Sequence, residues 1–164
     1  MVDIRKTTLT DWPEIWQMLA PIFQAGDTYA YPPDINSDAA RLAWSEAPSA
    51  TYIALDLAGR IAGSYFLKPN QPGQGRHVCN CGYAVAQHAR RQGIAGQLCR
   101  HSQQVAVALG FRAMQYNFVV STNEGAIRLW QAEGFDIVGR LPGAFAHPEQ
   151  GDVDALVMFK TLVD

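Results

Sequence analysis

The stretch NCGYAVAQHARRQGIAGQL, Asn80 to Leu98, restricts the possible folds of this chain more than any other. It reads as a buried strand that turns through a glycine-bearing loop and enters a helix. In the helix, Ile94, Ala95, Leu98, Cys99, Ser102, Val105, Ala106 and Leu109 form one apolar or small stripe, with Arg100, His101, Gln103 and Gln104 opposite. Gly110 stands where a glycine closes a helix. Gly93, Ala95 and Gly96 in the first turn are small enough to let a ligand approach the backbone. The free N–H groups there, with the helix dipole behind them and Arg90 and Arg91 alongside, suit an anion such as a pyrophosphate. The same small residues would also serve close helix packing, and an arginine pair is most often a solvated surface.

The rest of the chain surrounds this unit with alternating strand and helix patterns. VDIRKT alternates as a strand whose Val2 and Ile4 face a core, and TLTDWPEIWQMLAPIF follows as a helix. Asp11 and Glu14 have the spacing of a capping box. QAGDTYAYPPDI is rich in breakers and tyrosines, a lid-like connection to the short helix NSDAARLAWSEA, capped by Asn36 or Ser37. TYIALDLAGRIAGSYFLKP splits at Ala58 and Gly59 into a hairpin. RAMQYNFVV is a strand and STNEGAIRLWQAEGF a helix. FDIVGRLP and VDALVMFKTL are two further strands flanking a loop, GAFAHPEQGD. The expected order is one strand, two helices, three strands, helix, strand, helix and two strands. It makes a single mixed α/β domain spanning 1–164.

At 164 residues the chain can bury a core without disulfides or metals. A net charge of −2 with scattered lysines and arginines gives no footprint for nucleic acid. No run approaches the roughly 18 apolar residues that span a bilayer, and MVDIRKTTL has no apolar signal region, so a cytoplasmic protein is expected.

HVCNCGYAV, His77 to Val85, raises the question of a metal or redox centre. On a strand, His77, Cys79, Cys81 and Tyr83 share one face, with Asn80 and Gly82 on the other. Three ligands are one short of a structural zinc site, and cysteines one residue apart make a strained bridge. No metal is therefore expected. His101 and His147 have no evident partner in the sequence.

RRQGIA, Arg90 to Ala95, and NEGAIRLWQAEGF, Asn123 to Phe135, together resemble the two signatures of the GNAT superfamily of N-acetyltransferases, in the family's order. The resemblance implies a single-domain fold with a mixed, largely antiparallel sheet of about seven strands, one parallel pair splayed apart, and about four flanking helices. It also implies acetyl-CoA as co-substrate, with the pyrophosphate on the amides of Arg90, Arg91, Gln92, Gly93, Ile94, Ala95 and Gly96. Val85 would pair its backbone with the pantetheine arm, and Asn123 would contact the cofactor. Position 130 is Trp where the family often has a Tyr that protonates the departing thiolate, and an indole N–H is no acid. Trp130 is then core packing and a wall for the arm, leaving Tyr83, Tyr116 or a water as proton source. Dimerisation is common in the family, and a homodimer has no legible interface here.

HVCNCGY, YNFVVSTN, VDALVM and FLKPN are similar to a fungal branch that acetylates the proline analogue azetidine-2-carboxylate. That branch has asparagines at the positions of Asn80 and Asn117, which are thereby catalytic and substrate-binding candidates. Asn80 would aim its amide into the cleft, or else satisfy backbone in a distorted strand. Asn117 breaks strand propensity and would orient the acceptor amine or the water that takes its proton, or else be an Asn satisfied within the sheet. Asp27, Tyr29 and Tyr31, with Thr28, would wall the acceptor site from the first loop, or pack over the core.

The function expected is acetyl transfer to a small amine, an amino acid, imino acid or amino-acid-like toxin, by direct attack without an acyl-enzyme. A CoA-binding sensor without turnover and a protein N-terminal acetyltransferase are the alternatives.

Overall fold

The computed structural model describes residues 2–163. Seven strands, β1 (Asp3–Lys6), β2 (Ala50–Leu55), β3 (Ile61–Pro69), β4 (Val78–Val85), β5 (Ala113–Val120), β6 (Asp136–His147) and β7 (Gly151–Thr161), form one sheet in the order β1-β2-β3-β4-β5-β7-β6. Helices α1 (Trp12–Ala25), α2 (Ser37–Arg41), α3 (Ile94–Ala108) and α4 (Glu124–Ala132) complete the expected order. Every neighbouring pair is antiparallel except β4 and β5. None of the described helices is long and apolar enough to cross a membrane.

The core lies on both faces of β3, which is why seven of its nine residues are buried and its sequence does not alternate. On one face Trp44 donates from Nε1 to Ser64 Oγ at 3.0 Å and meets the Phe66 ring edge-on at 5.0 Å. On the other, Tyr65 meets His101 of α3, its hydroxyl 2.8 Å from His101 Nδ1. His101, which the sequence leaves without a partner, thus belongs to this packing, and burial pushes its pKa down.

The parallel contact is short. Val78, Cys79 and Asn80 are opposite Ala113, Met114 and Gln115, and beyond that rung the strands separate. At the last rung Asn80 Nδ2 donates to the Gln115 carbonyl at 3.0 Å, so a side chain occupies the start of the gap. β5 stays with β7 through a register shift between Tyr116 and Val119, which bends it away from β4.

Local details depart from the sequence expectation at two places, the entrance of α1 and the length of β6. The helix entrance is boxed by Thr8 and Asp11, with the Thr8 amide donating to Asp11 Oδ2 at 2.6 Å, one turn earlier than the Asp11–Glu14 pattern. Arg5 competes for Asp11 as a partner, leaving its carboxylate no amide of α1 to cap. The β2–β3 hairpin forms as expected, its turn organised by Asp56, whose Oδ1 accepts from the amides of Ala58 and Arg60 at 2.9 and 3.0 Å. GAFAHPEQGD is mostly strand, because β6 runs on to His147. Asp154 of β7 accepts from Gly143 N at 2.9 Å and from Arg140 Nη1 at 2.6 Å, holding the irregular middle of β6 in the sheet.

Candidate active site

Strand parity explains what the gap between β4 and β5 offers. Ala86 N donates to Ala62 O and Asn70 N to Val78 O, so even-numbered backbone groups of β4 face β3. Arg112 N donates to His77 O on the opposite side, so the odd-numbered groups face β5. Where β5 has departed, the backbone groups of Tyr83 and Val85 open into the gap. The Tyr83 carbonyl accepts the Tyr29 hydroxyl at 2.5 Å.

The loop after β4 adds a second row of donors. Gln97 N is the first amide of α3 bonded back into the chain, to Gly93 O at 3.2 Å. Among the described residues, no backbone carbonyl receives the amides of Arg91 through Gly96. Gly93 has φ +73°, and Arg91 takes the left-handed conformation at φ +61° without being glycine, a strain of about 1–2 kcal/mol. A Cβ on Gly93 would meet nothing within 4 Å, so that glycine is there for its backbone angle. Gly96 differs: a Cβ there would lie 3.3 Å from Arg100 Nη1 and 3.4 Å from Glu133 Oε1, which form an ion pair. It serves the close approach of α3 to the end of α4.

Two cavities follow from this geometry. One of about 640 Å³ is lined by Arg90, Arg91, Gly93, Ile94, Ala95 and Gly96 at the loop. The other, about 840 Å³, runs past the open edge of β4 to Asp27, Tyr29, Tyr31, Asn80 and Asn117. Tyr83, Val85, Asn123 and Trp130 line both, making one continuous passage. Asn123 also caps α4, its Oδ1 accepting from Ala126 N at 3.3 Å. Gln92 lines neither cavity, and its Nε2 donates to the His88 carbonyl at 3.0 Å.

The wall at the far end is aromatic. Tyr29 and Tyr31 stack at 5.8 Å, and both pack on Phe23 of α1. Burial raises the pKa of both tyrosines. Asp27 is exposed on the same loop.

The two asparagines differ in environment. Asn80 is half-buried and donates to Gln115 O while lining the larger cavity. Asn117 is exposed, in the bulged part of β5. Its Oδ1 accepts from Gln115 Nε2 at 2.9 Å and its Nδ2 donates to Asn70 Oδ1 at 2.6 Å. Asn117 is therefore not the buried Asn satisfied within the sheet that was the alternative to an acceptor role; it is exposed and lines the larger cavity. Asn70 was not singled out from the sequence. It lies just past the end of β3, and its place at the end of the block FLKPN is a signal that could have pointed to it.

Beneath the passage, Trp130 is buried against Tyr83 at 4.8 Å and Tyr116 at 5.2 Å. The Tyr83 hydroxyl is 2.7 Å from Ser102 Oγ of α3 and 3.0 Å from the Tyr116 hydroxyl. Burial raises the pKa of both tyrosines well above the ordinary phenol value. The thiols behave similarly: burial pushes Cys79 up to about 12 and raises Cys81 well above normal, so neither is a thiolate at neutral pH. Among the described residues no three His, Cys, Asp or Glu side chains come together as metal ligands. His77 Nδ1 is instead 3.0 Å from the Gln74 carbonyl, and His147 Nδ1 accepts from Glu149 N at 3.2 Å.

The model of the acetyltransferase (GNAT) family matches residues 12–135, which takes in the splayed strands, the loop and α4. The chain belongs to that family. N-acetyltransferase aca1 of Schizosaccharomyces pombe is 32% identical over 114 residues, 69% of this chain and 54% of that protein. The chain therefore spans about half the length of this curated relative. A GCN5-related N-acetyltransferase from Kribbella flavida has 40% identity and a TM-score of 0.92, covering 98% of this chain and 97% of that one. A GNAT superfamily phosphinothricin acetyltransferase from Sinorhizobium meliloti, solved in complex with AcCoA, shares the fold at 18% identity. Its TM-score is 0.89, over 99% of this chain and 89% of its own.

Proposed function

We propose that this protein is an N-acetyltransferase that moves an acetyl group from acetyl-CoA to the amine of a small molecule, an amino or imino acid. The observation that carries the reading is the continuous passage from the free amides of the Arg91–Gly96 loop, along the open edge of β4, to a separate cavity walled by Tyr29 and Tyr31.

The residues present fit the co-substrate. Unbonded amides at a helix N-terminus, with Arg90 and Arg91 beside them, suit a pyrophosphate. The strand edge at Tyr83 and Val85 suits an extended arm carrying its own amides. Asn123 and Trp130 would flank that arm. Acetyl-CoA supplies a thioester whose acyl carbon a neutral amine attacks, the C–N bond forming as C–S breaks.

The chain's contribution is placement and polarity. The Val85 amide, directed into the gap, is a donor for charge developing on the acyl oxygen. Asn117 and Asn80 at the cavity rim orient the amine, and Asp27 favours an approaching cation. The Tyr83 and Tyr116 hydroxyls, bonded to each other and to Ser102 and held protonated by burial, stand with water in the passage as the proton donors open to the departing thiolate. With Cys79 and Cys81 protonated, attack is direct.

The resemblance of HVCNCGY, YNFVVSTN, VDALVM and FLKPN to the fungal azetidine-2-carboxylate acetyltransferases supports an imino acid as acceptor. The test is CoA release with acetyl-CoA against azetidine-2-carboxylate, proline, other amino acids and N-terminal peptides. Turnover on a free imino or amino acid is expected. Turnover on peptides alone would make this a protein N-terminal acetyltransferase. Tight CoA binding with no turnover on any acceptor would favour a sensor, a reading kept open by Trp130 in place of a phenolic acid.

A further inference from the structure

The geometry points to Lys68 as the residue that recognises a carboxylate on the acceptor, which makes the acceptor class an amine bearing a free acid group. This inference rests on the acetyl-transfer reading for its biological meaning, but it concerns a binding site that can be measured without turnover.

Lys68 is half-buried near the outer end of β3 and lines the larger cavity but not the loop cavity. The other cations of the larger cavity, Arg90 and Arg91, line both, which places them at the pyrophosphate end. Lys68 is therefore the cation of the acceptor end. Among the described residues it has no carboxylate within ion-pair distance, although Arg5, Arg41, Arg60, Arg100, Arg128 and Arg140 all do. Its Nζ stands 5.5 Å from the centroid of the Phe66 ring, which is itself fixed by Trp44. An aromatic face attracts the ammonium and holds it in place without neutralising it.

The neighbours of Lys68 match this role. Lys68 is the cross-strand partner of Asn80, so the two side chains leave the sheet on the same face. Asn117, bonded to Gln115 and Asn70, adds a neutral amide to the lining of the same cavity. An acid group held by one unpaired ammonium and flanked by amides is recognised by charge and hydrogen bonding together. Its amine is left to face the open edge of β4.

The experiment measures binding by calorimetry to CoA-loaded protein, using azetidine-2-carboxylate and proline against azetidine and prolinamide, for the wild type and Lys68→Met. Lys68→Met keeps the stem over Phe66 and removes only the charge. The acids should bind the wild type about tenfold or more tightly than the analogues that lack the carboxylate, and Lys68→Met should erase that difference. CoA affinity should not change. Equal binding of acids and analogues by the wild type overturns the inference, as does Lys68→Met weakening both classes alike. A failure of acetyl transfer is read separately: acids that bind through Lys68 but are never acetylated would remove the enzyme reading and leave the carboxylate site standing.

Discussion

The hydroxyl of Tyr29 donates a 2.5 Å hydrogen bond to the carbonyl of Tyr83, tying the aromatic loop after α1 to the strand edge that β5 leaves open. One bond thus connects the wall of the acceptor cavity to the lining of the cofactor passage. Tyr29→Phe keeps the ring stacked on Tyr31 and removes only that bond. It should cost about 0.5–1.5 kcal/mol, a fall of roughly 2–4 °C in Tm per kcal/mol for a domain of this size. The KM for the acceptor should rise while that for acetyl-CoA changes little. The same thermal shift with both KM values unchanged would reduce Tyr29 to a packing residue.

Gly93 and Gly96 stand three positions apart at the start of α3 and answer to different physics. Gly93→Ala meets no steric obstacle but must hold φ near +73°, a strain of about 1–2 kcal/mol for a residue with a Cβ. If the loop relaxes, its amides rotate away, and acetyl-CoA affinity should fall about tenfold. Gly96→Ala gains up to about 1 kcal/mol of helix propensity, offset by the few tenths of an ångström that Arg100 must yield. Its stability and CoA affinity should stay near wild type. Titration of CoA into both variants decides this, and equal losses would contradict the assignment of separate roles.

Much of this architecture is legible in the sequence because the elements that carry it have strong periods. The stripe of α3, the breaker at Gly93 and the second motif at Asn123 place the passage before any coordinate is known. The polar detail at the far end is not legible, since it depends on pairs distant along the chain. Asn70 meets Asn117 only because β3 and β5 flank β4, and Tyr29 meets Tyr83 only because α1 packs against β3 and β4. The extension of β6 is not legible because GAFAHPEQGD, with its glycines and Pro148, reads as a loop, while Asp154 on the facing strand keeps Gly143 in the sheet. His101 looked like a surface residue because its partner, Tyr65, is 36 positions away.

Cys79 and Cys81 are within the core beside the passage, and burial holds both as thiols. Replacing both with Ala should cost about 1–3 kcal/mol through lost packing and leave kcat within a few-fold of wild type. Loss of most activity with the fold intact, seen by circular dichroism, would sink direct attack.

Asp11 accepts from Arg5 Nη1 and Nη2 at 2.8 and 2.7 Å and from the Thr8 amide, and these partners hold its carboxyl far below the usual range. A depressed carboxyl pKa stabilises the fold above the unfolded value and loses that stabilisation as pH falls through the folded one. Asp11→Asn should therefore be less stable than wild type at pH 7 by about 1–2 kcal/mol, allowing for the partial exposure of Arg5. The gap should narrow below about pH 4. Urea melts across that range test it, and a gap independent of pH would mean that the charge on Asp11 is not what stabilises the helix entrance.

Asn80 and Asn117 offer the sharpest separation of structure from chemistry. Asn80→Ala removes the donor to Gln115 O at the last rung before the strands part, so it should lower stability by about 1 kcal/mol as well as slow turnover. Asn80→Asp should be worse, because a carboxylate cannot donate and would face the Gln115 carbonyl with a full charge. Asn117 is exposed and bonded only to other amides that water can satisfy. Asn117→Ala should leave Tm near wild type while lowering kcat with the chosen acceptor, and acetyl-CoA binding should be unaffected. Thermal melts read beside kcat and KM for the three variants distinguish these outcomes. Full activity in Asn117→Ala would remove it from the site.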